Sequence, residues 1–429
     1  MKILLITANF APRSASPAVR TVNYVKYLAR LGHEIHVVTY TDEFLTIFSD
    51  ADDELSKKVP SSVQISRVPA GILRRALSRR SGGDRKNAQL AKKSLSSNPL
   101  ISLLVPDPHV DSVPTFIKTG CSIIAEWKPD VVITHGYPFS MHWVGARIKK
   151  RFPTLFWVAD YGDPWVGDPV VELPRPQWRK RLDKWLEKRW ISSADLLTVT
   201  TEPTKELYEQ HYSFLQERIE IIPMGFDPDD FESMPLRGRP GHLAGKILFV
   251  HAGRIYPQAR DPSPLIEAVG QLASQCPALA SKLAIVLVGE TDQEVLRLIK
   301  SNQCESFFHI LEWVPVADSI AWMRRADWLL LFGNKGGIQI PGKIYQYIGA
   351  NRPIFMTQIN LADPSVDVVN STENAVVVPN EAEFILEALK SVLGGEGSNN
   401  STHPVSDRSR FSWPVLMHRL SQRIELIRS

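Results

Sequence analysis

Lys343 and its neighbours carry the clearest chemical signal in this 429-residue chain. An apolar run, Trp328-Leu-Leu-Leu-Phe332, leads into a loop with Gly333, Gly336 and Gly337, then into Ile340-Pro-Gly-Lys-Ile-Tyr-Gln346, which reads as a helix opening. Pro341 suits the first helical position, where its missing N–H is not needed, and the N–H groups of Gly342 and Lys343 then face outward. Those donors, a helix dipole worth roughly half a positive charge, and the Lys343 ammonium together favour an anion such as phosphate. An ordinary proline-started helix would use the same residues, so the segment alone indicates only some phosphorylated ligand.

Other groups with chemical potential stand where apolar runs end. Arg254 follows Gly253 after Lys246-Ile-Leu-Phe-Val-His-Ala, and Arg260 lies in the same loop. A guanidinium can hold phosphate oxygens bidentately, although a surface salt bridge is the alternative for both arginines. His135 and Asp160 end two further runs, with Asp163 and Trp165 just beyond. Such strand ends host ligands in open α/β sheets, while an aspartate capping the next turn is the alternative. Arg20 lies just inside a helix, directed at a ligand or simply solvated.

The elements that must position these groups repeat. Residues 2 to 7 form an apolar strand, 8 to 17 a loop, 18 to 31 an amphipathic helix with Val22, Val25, Leu28 and Ala29 on one face, and His33 to Thr39 a second strand. Gly32 stops the helix, and the βαβ unit places its first loop at the carboxyl edge of a parallel sheet. The pattern restarts at Gly245, with strands at 246–253 and 284–289 around a helix at 265–273. Further strands are expected at 131–134, 155–158, 196–199, 219–222, 308–311, 328–332 and 354–357. Pro235-Leu-Arg-Gly-Arg-Pro-Gly-His242 has the composition of an interdomain linker. The fold class is therefore α/β, with two open parallel-sheet domains facing across a cleft.

Composition excludes several classes. Apolar residues make up 44% of the chain, enough for two cores, and the net charge of +4 is too small to argue nucleic-acid binding. Cys121, Cys276 and Cys304 lie far apart without metal-ligand spacing, which favours a reduced cytosolic compartment and no metal site. The N-terminus reads as a strand and not as a signal peptide, and no run is long enough to span a bilayer.

Several strings then resemble a known family: Leu28-Ala-Arg-Leu-Gly-His-Glu-Ile-His-Val-Val-Thr39, Ile222-Pro-Met-Gly-Phe-Asp227, Ala252-Gly-Arg254, Pro341-Gly-Lys-Ile-Tyr-Gln-Tyr347 and Pro353-Ile354. In order and spacing they resemble the family-four retaining glycosyltransferases of the GT-B fold, across nearly the whole chain. Val105-Pro-Asp-Pro108, Val158-Ala-Asp-Tyr-Gly-Asp-Pro-Trp165, Arg260-Asp-Pro262 and Phe411-Ser-Trp413 are similar to bacterial surface-polysaccharide transferases. The resemblance implies two Rossmann-like domains: an acceptor-side domain at 1–235, a linker at 236–245, a nucleotide-sugar domain at 246–408, and a helix at 409–429 crossing back to the first domain.

It also implies roles. Arg254 takes the place of the family's diphosphate-binding arginine, Arg260 that of its lysine, and Gly253, Gly336, Gly337, Gly342 and Lys343 complete the donor seat. Cations and N–H donors there would stabilise the charge left on the diphosphate, so metal and cofactor are not needed. Ser16, with Ala15, replaces the paired glycines after the first strand. On the acceptor side stand Arg20, His135 and Asp160, with Asp163 orienting or deprotonating the acceptor hydroxyl unless the leaving phosphate is itself the base. His135 is read more as a polar packing residue than as a catalyst.

Two positions depart from the family. Its paired glutamates correspond to Ile338 and Gln346 here. Gln346 can still accept from a ribose hydroxyl, without the charge that makes such a bond roughly twice as strong, and Ile338 cannot hydrogen-bond at all.

Two basic stretches bear on the acceptor. Residues 71–93 carry Arg74, Arg75, Arg79 and Arg80 among apolar residues, a composition suited to an anionic bilayer, with a solvated loop as the alternative. The stretch 178–190 puts Trp178, Leu182, Trp185 and Leu186 on one helical face, expected to pack on the first sheet. The sequence thus reads as a peripheral enzyme on the cytosolic face of the plasma membrane. It would move a hexose from a nucleoside-diphosphate sugar to a lipid-linked glycan, with retention, in cell-surface polysaccharide biosynthesis. A nucleotide-sugar 2-epimerase and a non-catalytic nucleotide-sugar-binding protein remain alternatives, and the oligomeric state is left open.

Overall fold

The computed structural model describes residues 1–46, 51–72, 75, 104–167, 176–232, 238–255, 257–312, 314–372, 375–395 and 408–429. Of the four arginines assigned to a membrane, Arg75 is described and exposed, whereas Arg74, Arg79 and Arg80 lie outside the described residues. The chain divides into two compact units, Met1–Met224 with Trp413–Ser429, and Gly225–Ser412.

In the first unit, β1 (Lys2–Thr7), β2 (Glu34–Tyr40), β3 (Gln64–Val68), β4 (Val131–Gly136), β5 (Phe156–Tyr161), β6 (Leu196–Val199) and β7 (Ile219–Ile221) form a parallel sheet ordered β3-β2-β1-β4-β5-β6-β7. Its central strands read as unbroken apolar runs because both faces are covered; β4 and β5 are buried at every residue. Helix α1 (Ser16–Arg30) sets Ala18, Val22, Val25 and Leu28 against Ile3, Leu5 and Ile35. Gly32, at φ +85°, takes the left-handed conformation that ends it. The C-terminal helix Trp413–Arg428 lies beside α1 through Leu416, Met417, Leu420 and Ile424, and the Arg428 guanidinium pairs with Asp130 at 2.9 Å.

Helices α2 (Ser140–Arg151) and α3 (Gln177–Ile191) pack together on the other side of the core, and α3 corrects the sequence expectation. Trp178 and Trp185 are 56% and 54% exposed, while Arg179, Asp183, Glu187 and Trp190 are buried. The inward polar groups are all satisfied. Arg179 Nε donates to Asp183 Oδ1 at 2.8 Å, and its Nη2 donates to the carbonyls of Leu104 and Pro106. The Glu187 carboxyl oxygens face the Tyr208 and Tyr212 hydroxyls at 2.7 Å each. Partnered in this way, a polar face can be buried at little cost, and the tryptophans of the helix are left to the outside.

In the second unit, β8 (Ile247–Ala252), β9 (Leu283–Val288), β10 (Phe308–Leu311), β11 (Trp328–Phe332), β12 (Ile354–Gln358) and β13 (Ala375–Pro379) form a parallel sheet ordered β10-β9-β8-β11-β12-β13. Leu330, Phe332, Phe249, Ile285 and Phe355 sit in its core. The edge strands β3 and β13 were not among those expected: β3 is Gln-Ile-Ser-Arg-Val, too polar to read as a buried run, and β13 is only half-buried. In both units the strand order changes direction beside the first strand, between β1 and β4 and between β8 and β11.

Candidate functional site

In the second unit the switch between β8 and β11 is a physical notch. The two strands pair only at Trp328 with Phe249 and Leu329 with Val250. Beyond that, side chains take over: His251 Nδ1 lies 3.0 Å from the Leu330 carbonyl, the Tyr347 hydroxyl donates to that same carbonyl at 3.2 Å, and it accepts the Ala252 N–H at 2.9 Å. Ligands of open α/β sheets bind at this kind of crevice.

The Lys343 side chain fills the notch, with Nζ 3.2 Å from His251 Nε2. Because His251 gives its Nδ1 proton to Leu330, its Nε2 is the acceptor for the ammonium. Burial, then the charge of Arg260, lowers the Lys343 pKa from 10.5 to about 7. Burial and Lys343 likewise hold His251 well below its ordinary value, so the imidazole is neutral. Gly253 is at φ +107°, and a Cβ there would stand 3.0 Å from Lys343 Nζ. Gly289, at φ +124°, lies so near Gly253 that a Cβ on it would stand 3.1 Å from the Gly253 carbonyl carbon.

Two loops join around the notch. Arg260 Nε donates to Asn334 Oδ1 at 3.0 Å, and Lys335 N–H donates to the Ala259 carbonyl at 2.9 Å. Asn334 is fixed in turn, its N–H on Asp363 Oδ2 at 2.7 Å and its Nδ2 on the Gln339 carbonyl at 3.1 Å. Gly337 adopts φ +94° in the bend between them. The helix α4 (Lys343–Ala350) then begins with Gly342 as its N-cap. This corrects the placing of Pro341 at the first helical position. The Pro341 and Gly342 carbonyls accept the N–H groups of Ile344 and Tyr345 in a tight turn, which starts the helix two residues later. Among the described residues, the N–H groups of Gly342 and Lys343 donate to no backbone carbonyl. Gln339 Nε2 is enclosed and also lacks a partner there.

Arg254 is placed differently. Its Nη1 lies 3.2 Å from Glu290 Oε2 in an ion pair open to solvent, and the arginine whose charge bears on Lys343 is Arg260. Gln346 and Ile338 are half-buried, the first in α4 and the second in the loop, beside the half-buried Gly336. Sequence reasoning thus assembled Lys343, Gly342, Gly253 and Arg260 but passed over His251, Asn334, Gln339 and Gly289. Only the strand-end position of His251 could have signalled it.

The first unit holds a second polar cluster. Asp160 and His135 are register partners at the ends of β5 and β4. Asp160 accepts five hydrogen bonds: Arg20 Nε at 3.0 Å, Arg20 Nη2 at 2.7 Å, Tyr24 Oη at 3.0 Å, Thr198 Oγ1 at 2.5 Å and His135 Nδ1 at 2.6 Å. Arg20 Nη1 donates to the Pro223 carbonyl. Burial alone would raise the Asp160 carboxyl, but Arg20 and then His135 outweigh it and hold it well below the usual carboxylate range. Arg20 is therefore not a solvated helix residue: it is 1% exposed and clamps Asp160. Asp160, with its acceptor sites occupied, orients His135 in place of moving a proton itself. Asp163 is half-buried in the loop beyond β5, where its charge acts on Arg20. Trp165 stacks between Phe139 and Trp190, a packing role. Ser16 is exposed at the first position of α1.

Comparison with known proteins adds to this geometry. Residues 18–230 match the family model described as Glycosyltransferase Family 4. An uncharacterized glycosyltransferase of Methanocaldococcus jannaschii is 22% identical over 195 residues, 44% of this chain and 47% of that protein. The chain thus spans about half the length of that curated relative. Two solved structures share the fold over nearly their whole length. A glycosyltransferase from Rickettsia africae is 14% identical with a TM-score of 0.65, covering 99% of this chain and 98% of the other. Anabaena HepE, solved with UDP and glucose, is 15% identical with a TM-score of 0.60, covering 99% of this chain and 100% of the other. Two parallel sheets and these likenesses make the fold GT-B.

Proposed function

We propose that this chain, which belongs with the family-four-like glycosyltransferases of the GT-B fold, moves a hexose from a nucleoside-diphosphate sugar to a lipid-linked glycan acceptor. The transfer retains anomeric configuration and serves cell-surface polysaccharide biosynthesis at the cytosolic face of a membrane. The observation that carries the reading is the notch between β8 and β11, where the half-buried Lys343 ammonium lies under the charge of Arg260 and beside a helix start whose Gly342 and Lys343 N–H groups donate to no backbone carbonyl among the described residues. HepE binds UDP, which supports the same class of ligand for this seat.

The chemistry follows from charge. As the sugar leaves, negative charge grows on the diphosphate, and Lys343, poised near neutrality, is drawn fully into its protonated form. The N–H groups of Gly342 and Lys343 and the fork of Arg260 need little rearrangement to meet it, and Arg254 can exchange Glu290 for a phosphate oxygen. The chain itself supplies the positive charge, so the reaction runs without a metal. With glutamine at 346 and isoleucine at 338, the ribose and sugar are held by neutral contacts, and donor affinity is modest. In the first unit, Asp163 orients the acceptor hydroxyl, and Asp160 fixes the tautomer of His135. The attachment we propose is peripheral, through basic and aromatic surface; no helix among the described residues is long and apolar enough to cross a membrane.

The test is incubation with a panel of nucleotide sugars, reading nucleoside diphosphate release with and without membrane lipid extract. Lipid-stimulated release supports the transferase. Sugar isomerised without release would make the protein an epimerase, and tight binding with neither would make it a sensor.

A further inference from the structure

Helix α3 turns its usual amphipathic order inside out. Its acids, Asp183 and Glu187, are buried, while Trp178, Arg181, Trp185, Lys188 and Arg189 are exposed. At 100° per residue those five fall on one outward stripe, which carries three cations and no carboxylate. Arg189 covers the Trp185 ring at 5.4 Å and also lines a groove of about 460 Å³ between α3 and α2. That groove is floored by Trp143 and Trp190, stacked 5.6 Å apart, and rimmed by Arg147 and Lys150. Among the described residues no carboxylate pairs with Arg147, Lys150, Lys188 or Arg189, whereas the neighbouring Lys149 is tied to Asp195 at 2.7 Å.

We propose that this face of α3, with the adjoining groove, is the surface by which the protein docks on an anionic lipid bilayer. Two tryptophans spaced seven residues apart can lie at headgroup depth, where an aromatic body and an indole N–H are both accommodated. The cations around them meet anionic headgroups, and the groove has room for one lipid phosphate between Arg147, Lys150 and Arg189. Charge complementarity selects this occupant. The stripe lacks the aliphatic residues that a protein-binding helix would use, and its acids are spent inside. The inference rests on the peripheral-membrane reading above and deepens it, moving the contact from residues 71–93 to α3.

The experiment is sedimentation of the full chain with phosphatidylcholine vesicles containing roughly a third phosphatidylglycerol, beside pure phosphatidylcholine vesicles. Wild type should bind the anionic vesicles and release as salt rises. Arg147→Ser with Lys150→Ser and Arg189→Ser should weaken binding on the order of 100-fold, and Trp178→Ser with Trp185→Ser about 10-fold or more, both with unchanged circular dichroism. Replacing Arg74, Arg75, Arg79 and Arg80 by Ser should have the smaller effect. If only that last variant loses binding, the α3 surface is overturned while peripheral attachment stands. If wild type binds no vesicles, both fall, and lipid-independent diphosphate release still reports on the transferase. Equal binding to neutral vesicles would also overturn the proposal.

Discussion

The Lys343 ammonium stands 3.2 Å from His251 Nε2, at the point where β8 and β11 part. A lysine donating to a neutral imidazole, with burial as the main influence on both, is charged only in part until an anion arrives. Binding of an anion at this seat, as proposed for the donor diphosphate, would therefore be linked to a proton.

In the free protein Lys343 ionises near 7, so anion binding above that pH should draw a proton in. Titration of UDP by calorimetry in buffers of different ionisation enthalpy should show up to one proton taken up between about pH 7 and 9, with affinity falling as pH rises. Lys343→Met should abolish the uptake. The same shift has a stability consequence: an unfolded chain with an ordinary lysine at 10.5 binds more protons than the folded one between about 7 and 10.5, so Lys343 by itself makes stability rise with pH across that window.

Glu187 works in the opposite direction. Burial, opposed by the hydrogen bonds of Tyr208 and Tyr212, raises its pKa from 4.5 to about 7. Its contribution is fully present below 4.5 and lost as pH rises through about 7, a difference on the order of 3 kcal/mol. Glu187→Gln keeps the shape of the protonated acid. Denaturant unfolding should find that variant more stable than wild type at pH 8 and indistinguishable at pH 4.

Asp160→Asn should cost about 3–5 kcal/mol, because the buried Arg20 guanidinium would lose its counter-charge. The pair is coupled, so adding Arg20→Met to Asp160→Asn should cost clearly less than the sum of the single changes. Additive losses in urea unfolding would show that the two do not act as one unit.

Much of this was legible in the chain. Central strands such as 131–134 and 328–332 announce themselves because a sheet covered on both faces demands unbroken apolar runs. The strand-loop-helix pattern pointed to Lys343, whereas Gly253 and Arg260 came from the family resemblance. Long-range pairing was not legible. Arg20 meets Asp160 across 140 positions, and Lys343 meets His251 across 92. The facing of α3 was misread for the same reason: its periodicity was plain, but nothing local reveals that Leu104, Pro106, Tyr208 and Tyr212 satisfy its polar side.

Gly253→Ala tests how tightly the notch is built. A methyl at φ +107° is strained and would press on Lys343 Nζ, so a loss of about 1–3 kcal/mol in stability is expected. UDP affinity should fall about 10-fold, as measured by calorimetry, because the ammonium is pushed from its place.

If the Lys343 seat stabilises a leaving diphosphate, as proposed, its removal must slow the chemical step. The most direct measurement is the rate of nucleoside diphosphate release from the preferred nucleotide sugar, wild type against Lys343→Met. With circular dichroism unchanged, the variant should be slower by about 100-fold or more. Release within about threefold of wild type would place the diphosphate site elsewhere.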